Sequence, residues 1–281
     1  EGAEVIKVEP PARGDILRGG RPADQLDQGV SVGFAAINAG KRSLAIDLKH
    51  PRTHPILEAL IARCDVFIEN YRPGAVARLG LDAARVAALR PDIVYASISG
   101  FGQRGEWAQR PAYDHVVQSA IGMSSLQGDA DQDPVKVGFP VVDTATGMLA
   151  AQAIVTALFR RERTGRGAHL DISMAQSALQ LMWPEAAKVA HHGQDSPRVG
   201  NRGFSGSPGA ASFQCADGWI STAANTQTQF RAMCAVLGMP HLPDDPALID
   251  QQALAGGGFL VPRDGAALHR LLADAIRHWP K

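Results

Sequence analysis

Cysteine is scarce, aromatic residues are few, and neither sign of charge prevails. The three cysteines, Cys64, Cys215 and Cys234, are scattered and odd in number. That excludes a disulfide framework and a cysteine-built metal centre, and reads as reduced, mostly buried thiols of a cytoplasmic protein. Lys plus Arg number 28 and Asp plus Glu number 28, so no global field draws in nucleic acid or an acidic membrane. No uninterrupted apolar run approaches the length of a membrane span, and nothing resembles a signal peptide. Gly-x-Ser-x-Gly is absent, which argues against an α/β-hydrolase elbow. His191-His192 has no carboxylate or cysteine at ligand spacing and reads as a solvated helix end, so no metal site is expected. An initial Met is lacking too. The chain opens on Glu1 just before a strand and stops at Lys281 after a helical pattern, so both ends are expected to continue in something longer.

What is present is an alternation of short β-branched runs and amphipathic helices as far as about Ser177, the pattern of a parallel sheet covered by helices. Strands are expected at Val5–Val8, Ser43–Asp47, Val66–Glu69, Ile93–Ile98 and His169–Ile172. Helices are expected around 55–62 and 83–89, with a long one after Asp143 that Gly165 ends. Residues 191–209 are polar and glycine-rich and read as a loop. A hairpin turning at Asp217-Gly218 and helices around 227–237 and 266–276 follow. The expected architecture is α/β, an open Rossmann-like, mostly parallel sheet with flanking helices, plus a smaller α+β domain. Residues 1–180 would form the large domain, 181–209 a linker and loop, and 210–281 the small domain.

Gly100-Phe101-Gly102-Gln103-Arg104-Gly105 matches a dinucleotide fingerprint after a strand. Pro111 interrupts the helix that should follow, and no acidic strand end lies at the required distance. A dehydrogenase is therefore a distant reading. Lys49, Arg72 and Arg78 lie in loops leaving strands, and such loops gather at the ligand-binding edge of a parallel sheet. They are either ordinary surface cations or partners for a polyphosphate. Asp143 follows the strand-like run Val137–Val142 and precedes a helix, the position of an N-cap. A carboxylate there also lies at the positive end of the helix dipole.

Taken in order, Gly2-Ala3-Glu4-Val5-Ile6-Lys7-Val8-Glu9-Pro10, Gly40-Lys41-Arg42-Ser43, Asp47-Leu48-Lys49, Glu69-Asn70-Tyr71-Arg72-Pro73-Gly74, Pro111-Ala112-Tyr113-Asp114, Asp143 with Gly147, and Arg163-Thr164-Gly165-Arg166-Gly167 resemble the class III coenzyme A transferases. The resemblance implies a CoA-transferase with Asp143 as nucleophile, passing through an aspartyl anhydride and an aspartyl-CoA thioester. It implies that Ile46, Asp47, Leu48, Lys49, Asn70, Tyr71, Arg72 and Arg78 line the CoA site. Pro111, Ala112, Tyr113 and Asp114 would lie beside the thioester. Coenzyme A enters as substrate, with no permanently bound cofactor, and the partners are an acyl-CoA and a small carboxylic acid. An interlocked homodimer is implied, here apparently truncated at both ends, since an earlier strand and a later return to the large domain are missing. The loop after Arg202 would correspond to a mobile loop over the active site. Two alternatives remain: an α-methylacyl-CoA racemase-like enzyme, whose base histidine would fall at Tyr113, and a non-catalytic CoA-binding fragment.

Overall fold

The computed structural model describes residues 2–19, 26–27, 29–250 and 260–281. Their backbone contacts group them into two compact units. One holds residues 1–112 and 143–177, the other 113–142 and 178–281.

In the first unit the parallel strands divide between two sheets. β1 (Ile6–Glu9) pairs with β4 (Arg42–Ala45), Val8 opposite Leu44. β5 (Val66–Glu69), β6 (Val94–Ser99) and β7 (Ala168–Ser173) form a second sheet in that order, with Val66 opposite Val94 and Val94 opposite Ala168. β6 is central, and nearly every residue in it is buried, as expected for a strand covered on both faces. A short antiparallel bridge joins β2 (Leu26–Asp27) to β3 (Val30–Ser31), and α1 (Val32–Asn38) starts from a Ser31 side-chain cap.

Side-chain alternation explains the layers. Tyr95 and Phe67 point to one face, where they join Leu57 and Ile61 of α2 (His54–Ile61), Val76 of α3 (Ala75–Arg78) and Val86 of α4 (Ala83–Leu89). Val94 and Ala96 point to the other, against Ile154 and Ala157 of α6 (Val141–Thr164). The Tyr95 hydroxyl donates to the Leu81 carbonyl at 2.8 Å, and burial pushes its pKa up. By length and composition α6 is apolar enough to cross a membrane, although the sequence lacks an uninterrupted run of that length. Ile154, Ala157 and Leu158 pack against β5–β7, but most of the helix surface is not buried. Its last turn is tied to the sheet by ion pairs. Arg161 Nη2 lies 3.1 Å from Asp65 Oδ1, and Arg90 bridges the same Asp65 and Asp92, both at 3.0 Å.

At the start of the unit Glu9 is 3% exposed, and both its oxygens accept from Arg18, at 2.7 and 2.8 Å. Asp15 N–H and the Ser43 hydroxyl also donate to it. That set, led by Arg18, holds the Glu9 carboxyl well below its usual range, at about 2.

The second unit contains α5 (Asp114–Ala120), α8 (Trp183–His192), the antiparallel hairpin β8 (Ser212–Cys215) and β9 (Gly218–Ser221), and α9 (Gln227–Val236). α7 (Met174–Leu181) begins where Ser173 accepts Gln176 N–H, as its sequence suggests. A capping box of Thr226 and Gln229 starts α9. Phe213, Phe230, Leu242, Ile249, Leu260, Leu268 and Leu272 make the core, the last two from the C-terminal helix Gly265–Ile276. Cys215 and Cys234 are free thiols within that core, and Cys64 is a half-buried free thiol in the first unit. Burial pushes the Cys234 pKa up to about 11.

Candidate functional site

The segment before Asp143 is not a strand. Residues 133–140 have no regular structure, because Gly138 and Pro140 deny a ladder its continuity. The helix also starts earlier than the position of Asp143 suggests. α6 begins at Val141, so Asp143 lies inside the first turn instead of capping it, and it is exposed. The cap reading of Asp143 is thereby corrected. A first-turn carboxylate still experiences the positive end of a 24-residue helix.

The acceptor for this helix start comes from Asp114, whose Oδ2 takes the Val142 N–H at 2.7 Å. Asp114 is the first residue of α5. Its other oxygen accepts from the Gln118 carboxamide at 2.5 Å, and Gln118 Oε1 accepts Val137 N–H at 2.8 Å. Thus one fully buried glutamine, absent from the sequence-derived site, fixes both the carboxylate and the strand-like run. Tyr113, just before α5, is 72% exposed, and its ring lies parallel to that of His115 at 6.3 Å.

Ala112 packs against the glycine loop after β6. A Cβ on Gly100 would meet that of Ala112 at 2.1 Å, so only glycine permits the approach. Gly102 has φ +91°, and its N–H donates to Ser99 Oγ, while Gln103 N–H donates to the Asp171 carboxylate. The glycine pattern that mimics a dinucleotide fingerprint therefore serves a packed turn.

Apolar contacts tie two of the cationic segments to one cluster. Leu48, next to Lys49, packs against the cluster that holds Leu57 and Val76, and Leu79, next to Arg78, packs against it too. Asp47 accepts Lys49 N–H at 2.9 Å, and Glu69 accepts Tyr71 N–H at 2.9 Å, so side chains fix both turns. Lys49, Arg72 and Arg78 are exposed, as are Asn70 and Tyr71, while Ile46 is half-buried. Among the described residues none of these three cations takes part in an ion pair. Glu69 has one buried carboxylate oxygen with no hydrogen-bond partner in this structure.

Comparison with known proteins bears on these features. The chain is 36% identical to the succinyl-CoA:glutarate CoA-transferase of Mus musculus over 244 residues, covering 87% of this chain and 55% of that protein. It is 36% identical to the acetyl-CoA:oxalate CoA-transferase of Acetobacter aceti over 282 aligned positions, 99% of this chain and 70% of the relative. The chain thus spans little more than half the length of the mouse transferase. Among solved structures, a CAIB/BAIF family protein from Brucella suis superimposes with a TM-score of 0.81 at 31% identity, covering 99% of this chain and 72% of that one. The model of CoA-transferase family III matches residues 1–280, and the chain belongs to that family.

Proposed function

We propose that the protein moves CoA from an acyl-CoA to a carboxylic acid, with Asp143 as nucleophile. The observation that carries this reading is an exposed carboxylate in the first turn of the long helix α6. The helix dipole favours the ionised, nucleophilic form at that position.

An Asp143 oxygen attacks the thioester carbonyl carbon, the C–S bond breaks, and CoA leaves as thiolate with an acyl-aspartyl anhydride behind it. The thiolate then attacks the aspartyl carbonyl, releasing the donor carboxylate and forming aspartyl-CoA thioester. The acceptor carboxylate attacks that thioester, giving a second anhydride and thiolate again. Attack of the thiolate on the acceptor's acyl carbon yields the new acyl-CoA and regenerates Asp143. No proton is gained or lost over the cycle. Lys49, Arg72 and Arg78 suit the phosphates of CoA, since none is engaged in an ion pair among the described residues. The reading extends to a homodimer, which the outward stripe of Met148, Val155 and Phe159 on α6 supports. The free thiols support a cytoplasmic setting.

The test is chemical trapping. Incubation with succinyl-CoA or acetyl-CoA, then hydroxylamine or borohydride, should leave a mass change on the peptide containing Asp143. An unmodified Asp143 across a panel of acyl-CoA donors, in folded protein, would overturn the assignment.

A further inference from the structure

We infer that Gln118 is a positioning residue, which aligns the first turn of α6 by orienting the Asp114 carboxylate. This rests on the reading of Asp143 as nucleophile. Gln118 is fully buried on α5, one helical turn after Asp114, yet it is polar and both ends of its carboxamide are used. The Val137 N–H requires an acceptor and takes Oε1, while the Asp114 carboxylate requires a donor and takes Nε2. The amide therefore has one permitted orientation. Through it the carboxylate is turned so that Oδ2 meets Val142 N–H, the backbone group directly before Asp143. A leucine would fit the volume but leave Val137 N–H without its acceptor and remove the carboxamide donor from Asp114 Oδ1.

The tightness of the pair supplies a readout that simple packing would not give. Gln118→Glu keeps the shape but sets two carboxyls 2.5 Å apart, which excludes ionisation of both. The variant can donate to Asp114 only while it holds a proton. The other titratable groups adjoining these partners in the chain are Tyr113, just before α5, His115 on α5, Lys136 beside Val137, and Asp143 in the first turn of α6. The turn Met123–Leu126, which packs on α5, carries none.

The experiment measures CoA exchange and Asp143 trapping in the full chain for wild type, Gln118→Leu and Gln118→Glu between pH 5 and 8, with thermal melts. Gln118→Leu should lose about 10- to 100-fold in kcat, the scale of an ångström-level misplacement, with KM for acyl-CoA nearly unchanged. Gln118→Glu should approach the wild-type rate at about pH 5 and fall away from it by about pH 8, as the shared proton leaves. A Gln118→Glu to wild-type ratio that does not vary with pH would overturn the proposal, as would wild-type kcat in a folded Gln118→Leu. If wild type itself is never trapped at Asp143, the transferase reading fails separately. Amide exchange then decides. Protection of Val137 and Val142 that weakens with rising pH only in Gln118→Glu supports the positioning role, and unchanged protection refutes it.

Discussion

Gly100 and Ala112 approach so closely that a Cβ on the glycine would lie 2.1 Å from the alanine's. The contact fixes the end of the segment that leads into Tyr113 and Asp114. Gly100→Ala must push the two loops apart, at about 1–3 kcal/mol for such overpacking. The melting temperature should fall, and Ala112→Gly in the same chain should restore most of it. A single variant as stable as wild type would contradict the contact.

Asp143→Asn should abolish trapping and slow CoA exchange by on the order of a thousandfold or more, as removal of a covalent nucleophile does. Its melting temperature should stay near that of wild type, because the residue is exposed and the helix-start acceptor is Asp114. Retention of more than about a tenth of the activity would argue for another nucleophile.

Lys49→Ala, Arg72→Ala and Arg78→Ala should each raise KM for acyl-CoA about 3- to 10-fold, within the range for an exposed charged contact to phosphate. The effect should shrink at high salt. An acyl-pantetheine substrate has no phosphate to lose, so its kinetics should be the same in all three variants and wild type. An equal loss with both substrates would mean that the cations act through folding.

Glu9 has a carboxyl depressed from 4.5 to about 2 in the folded chain, chiefly by Arg18. A depressed acid contributes stability that is fully present above its unfolded pKa and lost as pH falls through the folded one. Glu9→Gln should therefore be less stable than wild type near neutrality. The gap should close between pH 4.5 and about 2, the window set by the two values. Urea midpoints across that range would show it, and a gap independent of pH would assign the loss to packing.

Where the chain speaks through periodicity, the sequence was enough. Val66–Glu69 is a strand with the bounds expected of it, and the expected hairpin is present, though its turn falls one residue earlier, at Ala216-Asp217, with Gly218 opening β9. α4 covers Ala83–Leu89 and α9 begins at Gln227, both after capping side chains. The α/β class with parallel strands follows from that alternation. The division of those strands between two sheets does not, since local pattern is silent on which strands pair. α5 escapes notice because Asp114-His115-Val116-Val117-Gln118 has no apolar stripe; its buried face is Val117 and a glutamine. The start of α6 was misplaced for a related reason. Val137–Val142 resembles a strand by composition, but its backbone donors Val137 and Val142 go to Gln118 and Asp114, side chains distant in sequence. Asp143 and the cationic loops were legible as types at positions. The carboxylate that serves the helix start was visible only in three dimensions.

The placement of the thiols bears on chemical selectivity. Each turn of the proposed cycle frees a CoA thiolate beside an activated acyl group, and a competing protein thiolate would divert the acyl group to a cysteine thioester. Cys215 and Cys234 are sealed in a core, and burial raises the pKa of both Cys234 and Cys64, keeping them as unreactive thiols. In the proposed cycle, that placement would favour CoA over the chain's described cysteines as the sulfur nucleophile.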